Sequence, residues 1–193
     1  MEDTWGKNQG SLYMRINREE CAGLVIDIQE KLFPHMDQQE ELLRKSLILI
    51  EGMQLLGVPM MITEQYPKGL GPTIQQVHQA MGNCLPIEKI SFSCCDEPAY
   101  HEALQRLGRD KVIICGIEAH VCVLQTVIDL VASGYDPVVV SDCTSSRSPE
   151  DKRWAIERML SEGAIITTCE SILFELTRVA GTDEFKAISH LVK

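Results

Sequence analysis

Six short apolar runs recur along this 193-residue chain with helix-length segments between them, and that rhythm admits few folds. The runs are "GLVIDIQ" (23–29), "VPMMITEQY" (58–66), "PIEKISF" (86–92), "KVIICGI" (111–117), "DPVVVSDCTS" (136–145) and "AIITT" (164–168). Several are continuous in Val, Ile and Leu rather than alternating, which marks strands covered on both faces. Strands alternating with helices make βαβ units and a parallel sheet. The expected fold class is therefore α/β, a three-layer α-β-α sandwich on a six-stranded parallel sheet, Rossmann-like in its winding.

The intervening segments carry helical signals. Residues 39–56 place Leu43, Leu47, Ile50 and Met53 along one face, and Gly57 stops them. Pro98 and Gly108 bracket a helix whose apolar stripe is Tyr100, Ala103, Leu104 and Leu107. Val121, Leu124, Ile128 and Val131 line another, ending at Gly134, a stripe that leaves position 122 off its centre. Ser148, Pro149 and Asp151 read as an N-cap, an N1 proline and a capping-box acid, before Ile156, Met159 and Leu160. "CESILFELTRV" reads as the last helix. The Gly- and Pro-rich stretch 67–86 reads as loop with a short helix near "TIQQVHQAM". Residues 1–18 are expected to form a polar arm, and 19–193 one domain, a size that suits a full core.

A formal net charge of −10 opposes a sequence-independent grip on nucleic acid, which needs cations against phosphates. No run approaches the roughly 18 apolar residues of a membrane helix, so neither nucleic acid nor membrane is an expected partner. The N-terminus lacks an apolar core of the kind a secretory signal carries. Eight cysteines sit mostly inside apolar runs, with no CxxC pair. They read as reduced thiols of a cytoplasmic protein rather than a disulfide frame or a zinc site. The vicinal Cys94–Cys95 pair reads as two packed thiols, because a vicinal disulfide is strained.

In parallel sheets, ligands bind beyond the carboxyl ends of the strands. That rule singles out Asp27, Gln65, Lys89 and the segment 116–122. A cysteine attacks a carbonyl as thiolate, and an unassisted thiol with a pKa of about 8.5 is mostly protonated at neutral pH. A carboxylate to take the proton, a lysine to stabilise the anion and a helix N-terminus would together activate Cys122. Backbone N–H groups in the turn could hold an oxyanion. Each residue also has a plainer reading. Asp27 could cap the following turn, Lys89 could be a solvated lysine, and Cys122 could be core. Phe33, Gln65 and His120 stand as candidate substrate contacts, or else as core, loop and capping residues. Arg147, in "DCTSSRS", could meet an anionic group, although a turn and N-cap explain that stretch better.

"VIDIQ", "EKISFSC" and "CGIEAHVCVLQTVIDLVASGYDPVVVSDCTSSR" resemble the isochorismatase-like hydrolase family of cysteine hydrolases, over residues 20–176. The resemblance implies a catalytic Asp27–Lys89–Cys122 triad. It also implies a non-proline cis peptide between Ile117 and Glu118, which aims the amides of Glu118 and Cys122 at the substrate oxygen. Nicotinamidases of that family carry an Asp-x-His…His metal cluster after the second strand, whereas "TEQYPKGLGPT" supplies none. No metal and no other cofactor are therefore expected. True isochorismatases share the Ala119–His120 pair but place glycine where Cys122 stands. The resemblance is closest to the uncharacterised isochorismatase-domain branch, and it implies homo-oligomers, dimers or larger. The expected activity is metal-independent hydrolysis of a small amide-type substrate through a thioester. The alternative is a catalytically silent or redox-sensing binding protein on the same fold.

Overall fold

Each of the six runs becomes a strand in the computed structural model, which describes residues 15–193. They are β1 (Cys21–Ile26), β2 (Met60–Gln65), β3 (Ile87–Lys89), β4 (Lys111–Ile117), β5 (Asp136–Ser145) and β6 (Ile165–Thr167). All neighbours pair in parallel, in the order β3-β2-β1-β4-β5-β6. The winding direction reverses between β1 and β4, which leaves a crevice at their carboxyl ends.

The helices are α1 (Gln39–Leu55), α2 (Pro67–Leu70), α3 (Gln75–Met81), α4 (Pro98–Leu107), α5 (Leu124–Ala132), α6 (Pro149–Ser161), α7 (Cys169–Thr177) and α8 (Asp183–Leu191). Side chains alternate across a strand, so each strand feeds two cores. Val25, Ile113, Cys115 and Val138 pack with Leu49, Ile50 and Met53 of α1, Val77 of α3 and Ile172 of α7. Leu24, Ile26, Ile114 and Val139 pack against Leu104 of α4, Val127 of α5 and Met159 of α6.

Four details depart from the sequence reading. Helix α8 was not foreseen: it buries only Ile188, too sparse a stripe for periodicity to reveal, although the Thr182 hydroxyl accepts from Phe185 N as an N-cap. On α5 the buried residues are Thr126, Val127 and Leu130, with Val123 just before them; Val121, Leu124, Ile128 and Val131 are only half-buried. The helix is flanked on both sides, so partial burial broadens its apolar face beyond one stripe. On α6, Leu160 is 59% exposed and the buried pair is Ala155 and Met159. Of the arm assigned to 1–18, residues 1–14 lie outside the described residues, while Ile16 is 2% exposed in the core beneath α1.

Two local irregularities shape the crevice. Gly116 has φ +131°, and a Cβ there would lie 2.2 Å from the Ile26 carbonyl oxygen. Only glycine permits β1 and β4 to run this close at the point where they diverge. The β4–β5 register steps from Ile114↔Val139 to Gly116↔Thr144, so β5 bulges. Inside the bulge the Thr144 hydroxyl donates to the Val140 carbonyl at 2.8 Å. The extra residues carry Ser145 and Ser146 over the end of β4. Among the described residues no helix is long and apolar enough to cross a membrane.

Candidate active site

β1 ends at Ile26, and Asp27 takes up a left-handed conformation at φ +52°, which aspartate tolerates better than most residues. Its carboxylate is buried and oriented at both oxygens. Thr63 Oγ1 donates to Oδ1 at 2.8 Å, and Lys89 Nζ donates to Oδ2 at 2.7 Å. Neither side chain of the Asp27–Lys89 pair has any exposed surface. Such a pair carries a desolvation cost of several kcal/mol per ion unless further hydrogen bonds offset it. Here Lys89 Nζ also donates to Gln65 Oε1 at 2.7 Å and toward the carbonyls of Phe92 and Ser91 at 3.1 and 3.3 Å. Burial works against the ammonium, but Asp27 and then Cys122 outweigh it, so the Lys89 pKa ends above its ordinary value.

Cys122 arrives from the neighbouring strand. The peptide bond between Ile117 and Glu118 is cis. The chain then winds through a wide π-type turn, Ala119–Val123, before α5. The Glu118 carbonyl accepts from the amides of Val121 and Val123. Turns of this width inside helices recur at functional sites. The Thr126 hydroxyl donates to the Cys122 carbonyl at 2.7 Å and accepts from the Cys94 amide at 3.0 Å, which ties the turn to the loop after β3.

Cys122 is 5% exposed. Burial raises its thiol pKa first, and the Asp27 carboxylate raises it further, while Lys89 lowers it. The balance leaves the thiol pKa above its ordinary value. The Asp27 carboxylate beside it is placed to accept the sulfur's proton at the moment of attack. Asp27, Lys89 and Cys122, drawn from three separate strand ends, are thus near enough that Asp27 acts on both other groups and Lys89 and Cys122 act on each other.

The remaining candidates are placed as follows. His120 Nδ1 and Ser146 Oγ share a hydrogen bond of 2.9 Å across the top of the β5 bulge. The Glu118 side chain pairs with Arg147 Nε at 2.9 Å, so Arg147 already meets an anion of its own chain. Half-buried Phe33 packs beside Met36, Leu42 and Ile117. Gln65 has both ends of its amide engaged, since Nε2 donates to the Ile90 carbonyl at 2.6 Å while Oε1 faces Lys89. The carbonyls of Ile90 and Phe92 thus point at the site, while their side chains are 71% and 53% exposed. Cys94 and Cys95 are free thiols.

Several participants went unmarked in the sequence reading, namely Gln29, Thr63 and Thr126, while Cys94, read only as a packed thiol, has its sulfur 3.9 Å from Thr63 Oγ1. A signal existed for Thr63 and Gln65, which are polar residues two apart at the end of an otherwise apolar strand. Among the described residues no three His, Cys, Asp or Glu side chains converge as metal ligands. Two clefts open nearby. One of about 650 Å³ is lined by Met36–Glu41 and Arg44, and one of about 110 Å³ by residues including Asp37, Asp142, Ser145 and Lys152; neither is lined by Asp27, Lys89 or Cys122.

Comparisons with known proteins converge on one family. The isochorismatase domain model matches residues 21–171. The isochorismatase domain-containing protein 1 of Danio rerio is 38% identical over 168 residues, 86% of this chain but 59% of its own length. The chain therefore spans less than two thirds of that relative. The isochorismatase family protein 1B of Dictyostelium discoideum is 38% identical over 183 residues, covering 93% of this chain and 89% of its own. Among solved structures, MAR1 ribonuclease from Caenorhabditis elegans superposes with a TM-score of 0.87 at 38% identity, covering 93% of this chain and 92% of that one. With the domain match spanning all six strands, the chain belongs to the isochorismatase-like hydrolase family.

Proposed function

We propose that the protein is a metal-independent cysteine hydrolase that cleaves a small amide-type C–N bond through a thioester. The observation that carries this reading is the fully buried Asp27–Lys89 pair, 2.7 Å apart, whose two charges both act on the Cys122 thiol. In the proposed reaction Asp27 takes the proton from Cys122 Sγ as the sulfur attacks the carbonyl carbon. The oxyanion sits against the amides of Glu118 and Cys122. Asp27 returns the proton to the leaving nitrogen, the C–N bond breaks, and a thioester remains. Asp27 then deprotonates a water that attacks the thioester, and Cys122 leaves as thiol. Lys89 keeps its charge throughout, while the negative charge moves from the Asp27 carboxylate to the oxyanion and back in each half of the reaction.

A panel of small primary and secondary amides should reveal turnover that Cys122→Ala reduces at least about 10³-fold, with intact mass spectrometry trapping an acyl adduct on Cys122. Turnover that survives the substitution undiminished would overturn the reading.

A second reading, a binding protein without turnover, is favoured by the low exposure of Cys122 and by clefts that do not reach it. It predicts neither adduct nor turnover, with ligand binding detectable by calorimetry. The C. elegans neighbour is described as a ribonuclease. For this chain the net charge of −10, together with an ammonium already bonded to four oxygens, weighs against a polyphosphate substrate. RNA cleavage abolished by Cys122→Ala would displace the amide reading.

A further inference from the structure

The Lys89 ammonium has three N–H donors and four oxygens around it. The two longer contacts, to the Ser91 and Phe92 carbonyls, share one donor. The two short bonds, each 2.7 Å, go to Asp27 Oδ2 and to Gln65 Oε1. Among the described residues, Gln65 is therefore the one uncharged side chain that grips the ammonium.

Its own position is set before any ligand arrives. Gln65 N donates to Gln29 Oε1 at 2.8 Å, and Gln29 Nε2 donates back to the Gln65 carbonyl at 2.9 Å. Gln29 Nε2 also donates to the Gly71 carbonyl at 2.7 Å, which anchors the pair to the loop after α2. At the far end Gln65 Nε2 is held by the Ile90 carbonyl. Gln29 is completely buried and Gln65 nearly so. Each end of its amide is thus fixed by one partner, Oε1 by Lys89 and Nε2 by the Ile90 carbonyl.

Only Gln or Glu can place an sp² oxygen at that distance from the backbone. A carboxylate would grip Lys89 as well, but would divide its charge between two anions and set a second oxygen against the Ile90 carbonyl. An apolar residue would leave an ammonium N–H unsatisfied in a dry site, with its full desolvation penalty uncompensated. The amide alone grips without adding charge.

We propose that Gln65 is a positioning residue: a charge-neutral acceptor, locked by Gln29 and Ile90, that holds Lys89 against Asp27 and leaves the full ammonium charge directed at Asp27 and Cys122. The role rests on the hydrolase reading only for its effect on turnover; its effect on the thiol stands independently.

The test uses alkylation of Cys122 by iodoacetamide, followed by mass spectrometry, which needs no substrate. Gln65→Glu preserves both bonds while its carboxyl is protonated, because the O–H can donate to the Ile90 carbonyl and the other oxygen accepts from Lys89. Between about pH 4 and about pH 9 its rate relative to wild type should fall about tenfold as the carboxyl ionises and a second anion moves the thiol by about one pKa unit. Gln65→Leu should be about tenfold slower with a flat ratio across the same range, and should lower kcat on any amide substrate with KM unchanged. A purely structural role gives no pH-dependent ratio in Gln65→Glu, and a substrate contact raises KM instead.

A Gln65→Glu ratio flat within twofold overturns the proposal, and if Gln65→Leu fails to fold, Gln65→Glu alone decides it. A flat ratio alongside wild-type amide turnover removes the positioning role and spares the hydrolase. The tenfold fall in a protein that hydrolyses no amide removes the hydrolase reading and spares the positioning role.

Discussion

The two faces of the sheet each carry buried cysteines, and they behave alike until their neighbours are considered. Beneath α1 and α7, Cys115 and Cys143 pack in an apolar layer. Burial raises the Cys115 thiol to about 12, and the Cys143 thiol well above its ordinary value. On the opposite face, beneath α4 and α5, Cys94 is raised to about 11 and Cys122 is raised too, again with burial as the first cause. Exposure separates none of them. What differs is that a carboxylate and an ammonium, Asp27 and Lys89, act together on the second pair, while around Cys115 the further influence is another thiol, Cys169, and around Cys143 the thiols Cys169 and Cys115 act ahead of Asp142. A buried thiol becomes a candidate nucleophile through a fixed carboxylate that can accept its proton, more than through a low resting pKa.

That contrast can be broken most decisively at Asp27. Replacing it with Asn should lower amide turnover by about 10²–10⁴-fold, the usual worth of a general base. The same change removes an anion that raises the Cys122 thiol, so alkylation by iodoacetamide near pH 7 should rise, by about tenfold for each unit recovered. Loss of both activities together would mean that Asp27 only supports the structure.

Lys89→Met comes next. It strands a buried carboxylate and should cost about 3–5 kcal/mol in urea unfolding, with slower Cys122 alkylation because the one charge that lowers that thiol is gone. A cost below about 1 kcal/mol would show that solvent reaches the pair.

The smallest effect sharpens the opposite face. A thiol with a raised folded pKa contributes stability that is complete below its unfolded value of about 8.5 and fades as pH climbs toward the folded value. Wild-type unfolding free energy should therefore decline above about pH 8.5. Cys115→Ala should cost about 1–2 kcal/mol at neutral pH and make the alkaline decline shallower by about 2 kcal/mol at pH 10. An unchanged alkaline slope would deny that Cys115 is protonated in the fold.

Much of the scaffold was legible because it repeats. β4, β5 and α4 lie where their apolar runs and their Pro and Gly boundaries place them. The Ser148 hydroxyl accepts from Asp151 N as the capping pattern predicts. Periodicity was weaker where burial is partial, as on α5 and α6, and it was silent for α8, which fully buries a single side chain. In the site, Asp27, Lys89 and Cys122 were readable from strand ends and motif. Thr63, Gln29 and Thr126 were not, because a short polar residue in a strand or helix looks the same whether it bonds its own backbone or a partner dozens of residues away.

Sequence alone determined that this chain alternates strand and helix, that its sheet is parallel, and which residue types stand at the strand ends, since those follow from spacing and side-chain chemistry within a few residues. Tertiary structure alone decided that burial and Asp27 raise the Cys122 thiol pKa and that Gln65 grips Lys89. It also decided that Asp27 is held at both oxygens. Charge state and hydrogen-bond partnership depend on distance and solvent exclusion between segments that meet only when the sheet is assembled.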